Sequence, residues 1–160
     1  MNTKTFFSAA ATGALCLAAI AAVPASALAC GCPADKMGVD VRAMNSTPAK
    51  GVTDTVITSI DVAKEPAHIE GRRFRLRRLT ILPGGVVPWH SHADRPAIIY
   101  VVSGEVTEYA SSCSVPIVHR AGEATPELHV TSHWWRNTGK TTAVLLSADL
   151  LPVNADPHMM

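Results

Sequence analysis

The chain has 160 residues, with 14 Lys and Arg against 13 Asp and Glu. That length accommodates one compact domain. A charge so near neutral speaks against nucleic acid as a partner, because binding phosphate needs a basic excess.

The first 29 residues read as a secretory signal. Lys4 gives a weakly positive start and 14–23 is an almost unbroken apolar run, too short to cross a bilayer. Ala27-Leu28-Ala29 then supplies the small residues of a cleavage site. The mature chain therefore starts at or near Cys30, is exported to the periplasm or the outside, and has no transmembrane segment. Cys30 directly after the cleavage site is also a place for an N-terminal lipid. Ala27, where a lipobox has Leu, favours plain cleavage. With Cys16 removed, Cys30, Cys32 and Cys113 remain in an oxidising compartment. Two cysteines one residue apart bridge each other only with strain, so Cys113 is expected to pair with Cys32 or Cys30.

Residues 30–52 are rich in Pro, Gly, Ala, Asn and Ser and read as an arm or linker. Residues 53–152 read as an all-β domain, and 153–160 as a tail. β-type sequence begins at 55–60. Strands are expected at 74–82, ending at Pro83-Gly84-Gly85, and then at 98–102, 106–109, 117–119, 133–136 and 141–151. Short strands between turn residues, with no helical stripe, mean a sandwich or barrel.

His90 and His92 stand two apart, so on a strand both imidazoles share a face and can offer nitrogen ligands to one metal. Alone, a His-x-His pair is weak. The surrounding spacing strengthens it. Gly84-x5-His90-x-His92, closed by Gly104, resembles the first motif of the cupin family. Gly122-x10-His133-x3-Asn137 resembles the second. The resemblance extends from about residue 72 to 151 and implies a double-stranded β-barrel, or jelly roll, with a metal held by His90, His92 and His133. Where the family's first motif has a glutamate ligand, this chain has Ala97. Leu128 and Val130 likewise replace the family's Pro-x-Gly. The combination resembles cupins that bind metal with three histidines and no carboxylate, among them thiol and diketone dioxygenases. It implies a divalent ion, Fe(II) before Mn, Ni, Zn or Cu, with positions open for O2 and substrate.

Around that triad, Glu127 and His129 are auxiliary candidates whose simpler reading is the rim. Trp135 shares the parity of His133 and is expected to line the pocket. Trp89 and Trp134 should face outward, toward another layer or the second copy in a homodimer. Asn137 reads as a turn residue bonded to backbone. His68, His119 and His158 read as surface histidines. Arg72, Arg73, Arg75, Arg77 and Arg78 form a basic strand in which Arg78 is expected on the core side with Phe74 and Leu76. Arg78, or Arg95 at the mouth, would then meet an anionic ligand. Two functions stay open. One is an exported metal-dependent dioxygenase acting on a small polar or anionic molecule, with no general base evident by motif. The other is a non-catalytic module that binds or senses a small ligand.

Overall fold

The computed structural model describes residues 31–156. The expected signal segment, Cys30 and His158 lie outside the described residues. Eight strands account for most of the described chain: β1 (Lys50–Asp61), β2 (Arg72–Ser91), β3 (Ala97–Ser103), β4 (Glu105–Ala110), β5 (Ile117–Arg120), β6 (Ala124–Glu127), β7 (Ser132–Arg136) and β8 (Ala143–Pro152). Two single-turn 3-10 helices, Ala34–Lys36 and Val62–Lys64, are the helical structure among the described residues. The strands follow the order β5-β4-β7-β2-β8-β3-β6, with β1 added to β2, and every pairing is antiparallel. The result is a nearly closed all-β barrel. No described helix is long and apolar enough to cross a membrane.

The core is built from alternate positions. Leu79, Ile81, Val87, Ile99, Val101, Val106, Trp135, Ala143 and Leu145 bury together inside the barrel, as the period of two along each strand requires. Side chains at the intervening positions face out. Several of these are apolar, including Phe74, Ile98, Tyr100 and Val102.

Two expectations are corrected here. The strand expected to stop at Pro83-Gly84-Gly85 runs on through it. Gly84 has φ +75° and leaves the β region, while a Cβ on Gly85 would lie 2.8 Å from both Gly51 O and Leu82 O. The two glycines bend β2 without ending it. Its first half then pairs with β1 and β8, and its last residues pair with β7. The inward face of β2 is also the opposite of the expected one. Arg75 and Arg77 are buried, whereas Arg78 is exposed and Phe74 is 42% exposed. Arg75 stands opposite Asp149 on β8, so an inward carboxylate receives the inward arginine. β6 had no counterpart in the sequence reading, because its four residues include Pro126 and Glu127.

The arm is tied down on the β4 side. Cys32 Sγ and Cys113 Sγ are bonded at 2.00 Å. Gly38 N donates to Ser112 O at 3.0 Å, and Ser114 N to Lys36 O at 3.0 Å. Arg42 donates to Cys113 O and lies over Tyr109, which is stacked on the outward Trp134.

Candidate metal centre

β2 and β7 place His90 directly opposite His133. His92 follows the end of β2, where its N–H donates to Thr131 O at 2.9 Å and its carbonyl accepts from Arg95 N at 3.1 Å. This short turn swings the His92 ring back toward the other two. The three Nε2 atoms form a nearly equilateral triangle of 3.0, 3.1 and 3.2 Å. The rings meet edge to face, with centroids 4.5–5.0 Å apart.

Each ring's other nitrogen fixes its tautomer. His90 Nδ1 donates to Pro88 O at 2.9 Å and His92 Nδ1 to Arg95 O at 2.8 Å. His133 Nδ1 donates to Glu108 Oε1 at 2.6 Å. Carbonyls and an ionised carboxylate only accept, so all three protons sit on Nδ1 and three Nε2 lone pairs converge on one point. Protons are kept from that point as well. Burial above all lowers His92 from 6.5 to about 3 and holds His90 well below its ordinary value. Three converging lone pairs repel one another unless a cation lies between them. Metal–nitrogen bonds of about 2.1 Å meeting at right angles set nitrogens about 3.0 Å apart, against about 3.4 Å for a tetrahedral set. The donor set therefore fits a divalent metal held on one face of an octahedron.

Behind His133 lies a buried polar chain. Glu108 is fully buried and bridges two imidazoles, accepting from His133 and, through Oε2 at 2.8 Å, from His119 Nε2. Burial disfavours its charge, but the bonds from His119 and His133 prevail and lower it to about 2. His119, expected at the surface, is 5% exposed and stacks on Trp135. Glu127, expected on the rim, is 1% exposed. Its Oε2 is 3.5 Å from His133 Nδ1 and neither of its oxygens accepts a hydrogen bond. Burial and then the charge of Glu108 raise its carboxyl well above the usual range. It is the cross-strand neighbour of Ala97, so the carboxylate missing from position 97 has a counterpart one strand away, on the Nδ1 side of His133.

The cavity in front of the triad is lined by Leu79, Val87, Ile99, Trp135 and Leu145, with Arg77 as its cation. Arg78 and His129 are exposed and stand away from it. Arg95, expected at the mouth, is 3% exposed and donates to Asp149 Oδ2 at 3.1 Å. Asp149 also receives Arg75 through two bonds of 3.0 and 2.7 Å, and Arg77 at 3.3 Å. Arg77 further pairs with Asp54 and donates to Ser147 Oγ at 3.1 Å. Glu108, His119 and Asp149 escaped the sequence reading. Asp149 left a signal: it is the one acid among the alternating inward residues Leu145, Ser147, Asp149 and Leu151 of β8.

Residues 77–149 match the family model described as a cupin domain. No curated protein matches the sequence significantly. Among solved structures, an uncharacterised conserved protein with a double-stranded β-helix domain from Klebsiella pneumoniae is 18% identical. It matches 69% of this chain and 86% of its own, with a TM-score of 0.52. The Cupin_2 domain of an XRE family transcriptional regulator from Enterobacter cloacae is 13% identical, over 64% and 99%, at 0.50. The Cnp3 cupin domain of Schizosaccharomyces pombe is 10% identical, over 63% of this chain, at 0.50, and this chain spans 65% of its length. At such identities the likeness is one of fold. Over residues 77–149 the chain is thus similar in sequence to the cupin domain model, and it shares its fold with these structures.

Proposed function

We propose that this cupin domain is a metal-dependent oxygenase that holds a divalent ion, Fe(II) foremost, through His90, His92 and His133 and acts on a small polar or anionic molecule. The observation that carries the reading is the triangle of three converging Nε2 atoms, each ring fixed by a separate acceptor on its far nitrogen. Three ligands on one face leave about three positions of an octahedron for exogenous groups. A redox-active ion bound there would supply Lewis-acid and electron-transfer chemistry toward O2 and substrate. The chain's own contribution is orientation and exclusion of water. Glu108 keeps the His133 proton on Nδ1, and Leu79, Val87, Ile99, Trp135 and Leu145 wall the cavity with apolar surface. Export is part of the proposal, supported by a Cys32–Cys113 bond of the kind that oxidising compartments preserve.

Iron-loaded protein tests this reading. One iron per chain is expected, and nitric oxide, standing in for O2, should bind it with a change in its EPR spectrum. His92→Ala should lose the metal. Retention of iron by that variant would refute the site, and iron that never binds nitric oxide would refute the oxygenase.

A further inference from the structure

The two sides of the barrel present unlike outer faces. On the side of β4 and β7, the arm lies over the outward aromatics, with Arg42 against Tyr109 and Tyr109 stacked on Trp134. On the side of β1, β2, β8, β3 and β6, the outward side chains are largely apolar and stand open. Register sets them in rows across the sheet. Leu76, Ala148 and Ile98 form one row, and Arg78, Leu146 and Tyr100 the next. Phe74 and Leu150 sit side by side beyond them. Phe74, Tyr100 and Ile98 are between 42% and 58% exposed. Among the described residues, no outward position of β8, β3 or β6 carries a charge. On β2, Arg72 turns to Asp94 at the start of the strand, and Arg78 is the charge within the rows.

Size, shape and charge select what covers such a face. Five strands about 4.8 Å apart, with about six residues each at about 3.3 Å, span roughly 400 Å² in plan. Two such faces, with the corrugation their side chains add, reach the ~1,000 Å² that a specific interface requires. A single helix is about 10 Å across and covers half the width. An added strand needs an edge, not a face. A nucleic acid needs a basic field that one arginine does not supply. A second copy brings the same width and the same lack of charge, and sheets pack face to face about 10 Å apart. The hollow between Phe74, Ile98, Leu128 and Leu150 gives each copy a place for a side chain of the other.

We propose that this face joins two copies of the chain about a two-fold axis, a closed and self-complementary contact. The second copy anticipated beside Trp89 and Trp134 thereby moves to the opposite side of the barrel. Inward side chains of the same strands, Leu79, Ile99 and Leu145, wall the metal cavity. His90, the partly exposed ligand, lies on the part of β2 that pairs with β7. Pairing through the outer face therefore leaves the metal centre accessible, and it does not rest on the metal reading.

Sedimentation equilibrium at micromolar concentration should give twice the mass of one chain. Ile98→Lys puts a charge in the middle of the face and should raise the dissociation constant at least about thirtyfold, the effect of losing a central anchor. Ile98→Thr keeps a β-branched side chain that suits a strand. It should weaken the dimer about tenfold through lost apolar area, and it tests the face even if the lysine variant fails to fold. Val118→Lys, outward on β5 of the other side, should leave the dimer unchanged, and so should chelation of metal. A wild type that stays monomeric, or a dimer indifferent to both Ile98 variants, would overturn the proposal. So would a dimer that Val118→Lys or a chelator dissolves. A monomer that floats with neutral phospholipid vesicles, and no longer does so as Ile98→Lys, would assign the face to a membrane and overturn it as well.

Discussion

His133 is the one ligand whose second nitrogen meets a charge. His90 and His92 donate to backbone carbonyls, whereas His133 donates to the buried Glu108 carboxylate. A carboxylate makes an imidazole a stronger donor and locks its tautomer. Glu108→Gln keeps the shape but removes the charge, and its amide can present N–H to a nitrogen that already carries one. Metal affinity should drop by about 10- to 100-fold, measured by competition with a chromophoric chelator; an unchanged affinity would remove Glu108 from the site. Ala97→Glu, which restores the usual family ligand position, would place its carboxylate beside the buried Glu127. The two acids would then compete for one region, so gain of a ligand is not its expected result.

Protonation follows from the same residues. In the metal-free protein His90 and His92 titrate below 6.5, His92 near about 3. The unfolded chain then takes up protons that the folded chain refuses. Stability is full above about pH 6.5 and is lost as pH falls toward about 3, by about 1.4 kcal/mol per pH unit for each buried imidazole. Glu108 adds a loss lower down, from its ordinary value near 4.5 to about 2. Glu127 acts in the opposite sense, since its raised carboxyl costs stability at higher pH and is relieved as pH drops. Thermal midpoints of the metal-free protein should decline below pH 6.5, and His92→Phe should flatten the decline. A midpoint constant between pH 6.5 and 4 would contradict the burial of both rings as neutral species.

At the scale of elements, the motif histidines and the strand-and-turn pattern were legible because both are local. Two histidines two apart, and turns at Ser103-Gly104 and Ala121-Gly122, need no knowledge of partners. The parity of β2 was not local. Phe74 and Leu76 look like inward residues beside arginines, yet they face outward with Ile98 and Tyr100 while the arginines follow Asp149 inside. Only the pairing of β2 with β8 decides between the two faces. Glu108 was hidden in the same way, since its role depends on β4 lying beside β7. The arm makes its own prediction. The Cys32–Cys113 bond closes a loop with a sequence separation of 81, long enough for a contribution of about 2–5 kcal/mol through the unfolded state. Cys32→Ser should lower the denaturant midpoint accordingly while leaving the metal triad assembled, because the rings are fixed by Pro88, Arg95 and Glu108, outside the arm. Loss of metal in that variant would show that the arm also sets the position of β7.

Across the whole molecule, the triad lies between charged groups of opposite sign, with Glu108 behind His133 and the arginine cluster bordering the cavity. Asp149 holds that cluster and, with it, the barrel. Its side chain is fully buried on β8 and receives Arg75 and Arg77 from β2 and Arg95 from the approach to β3. Asp149→Asn would take a shared carboxylate away from three buried guanidinium groups. Removing one partner from a buried ionic set costs about 3–5 kcal/mol, so this variant should unfold at much lower denaturant or fail to accumulate. Replacing the set is a different matter, because well-packed apolar side chains often substitute for a buried ion cluster at little cost. Arg75→Met, Arg95→Met and Asp149→Leu together should therefore recover most of the lost stability. They remove two cations and one anion and keep the Arg77–Asp54 pair in place. The triple variant should keep its metal and a denaturant midpoint near the wild type. A triple variant as unstable as Asp149→Asn would show that apolar packing cannot replace this ionic set.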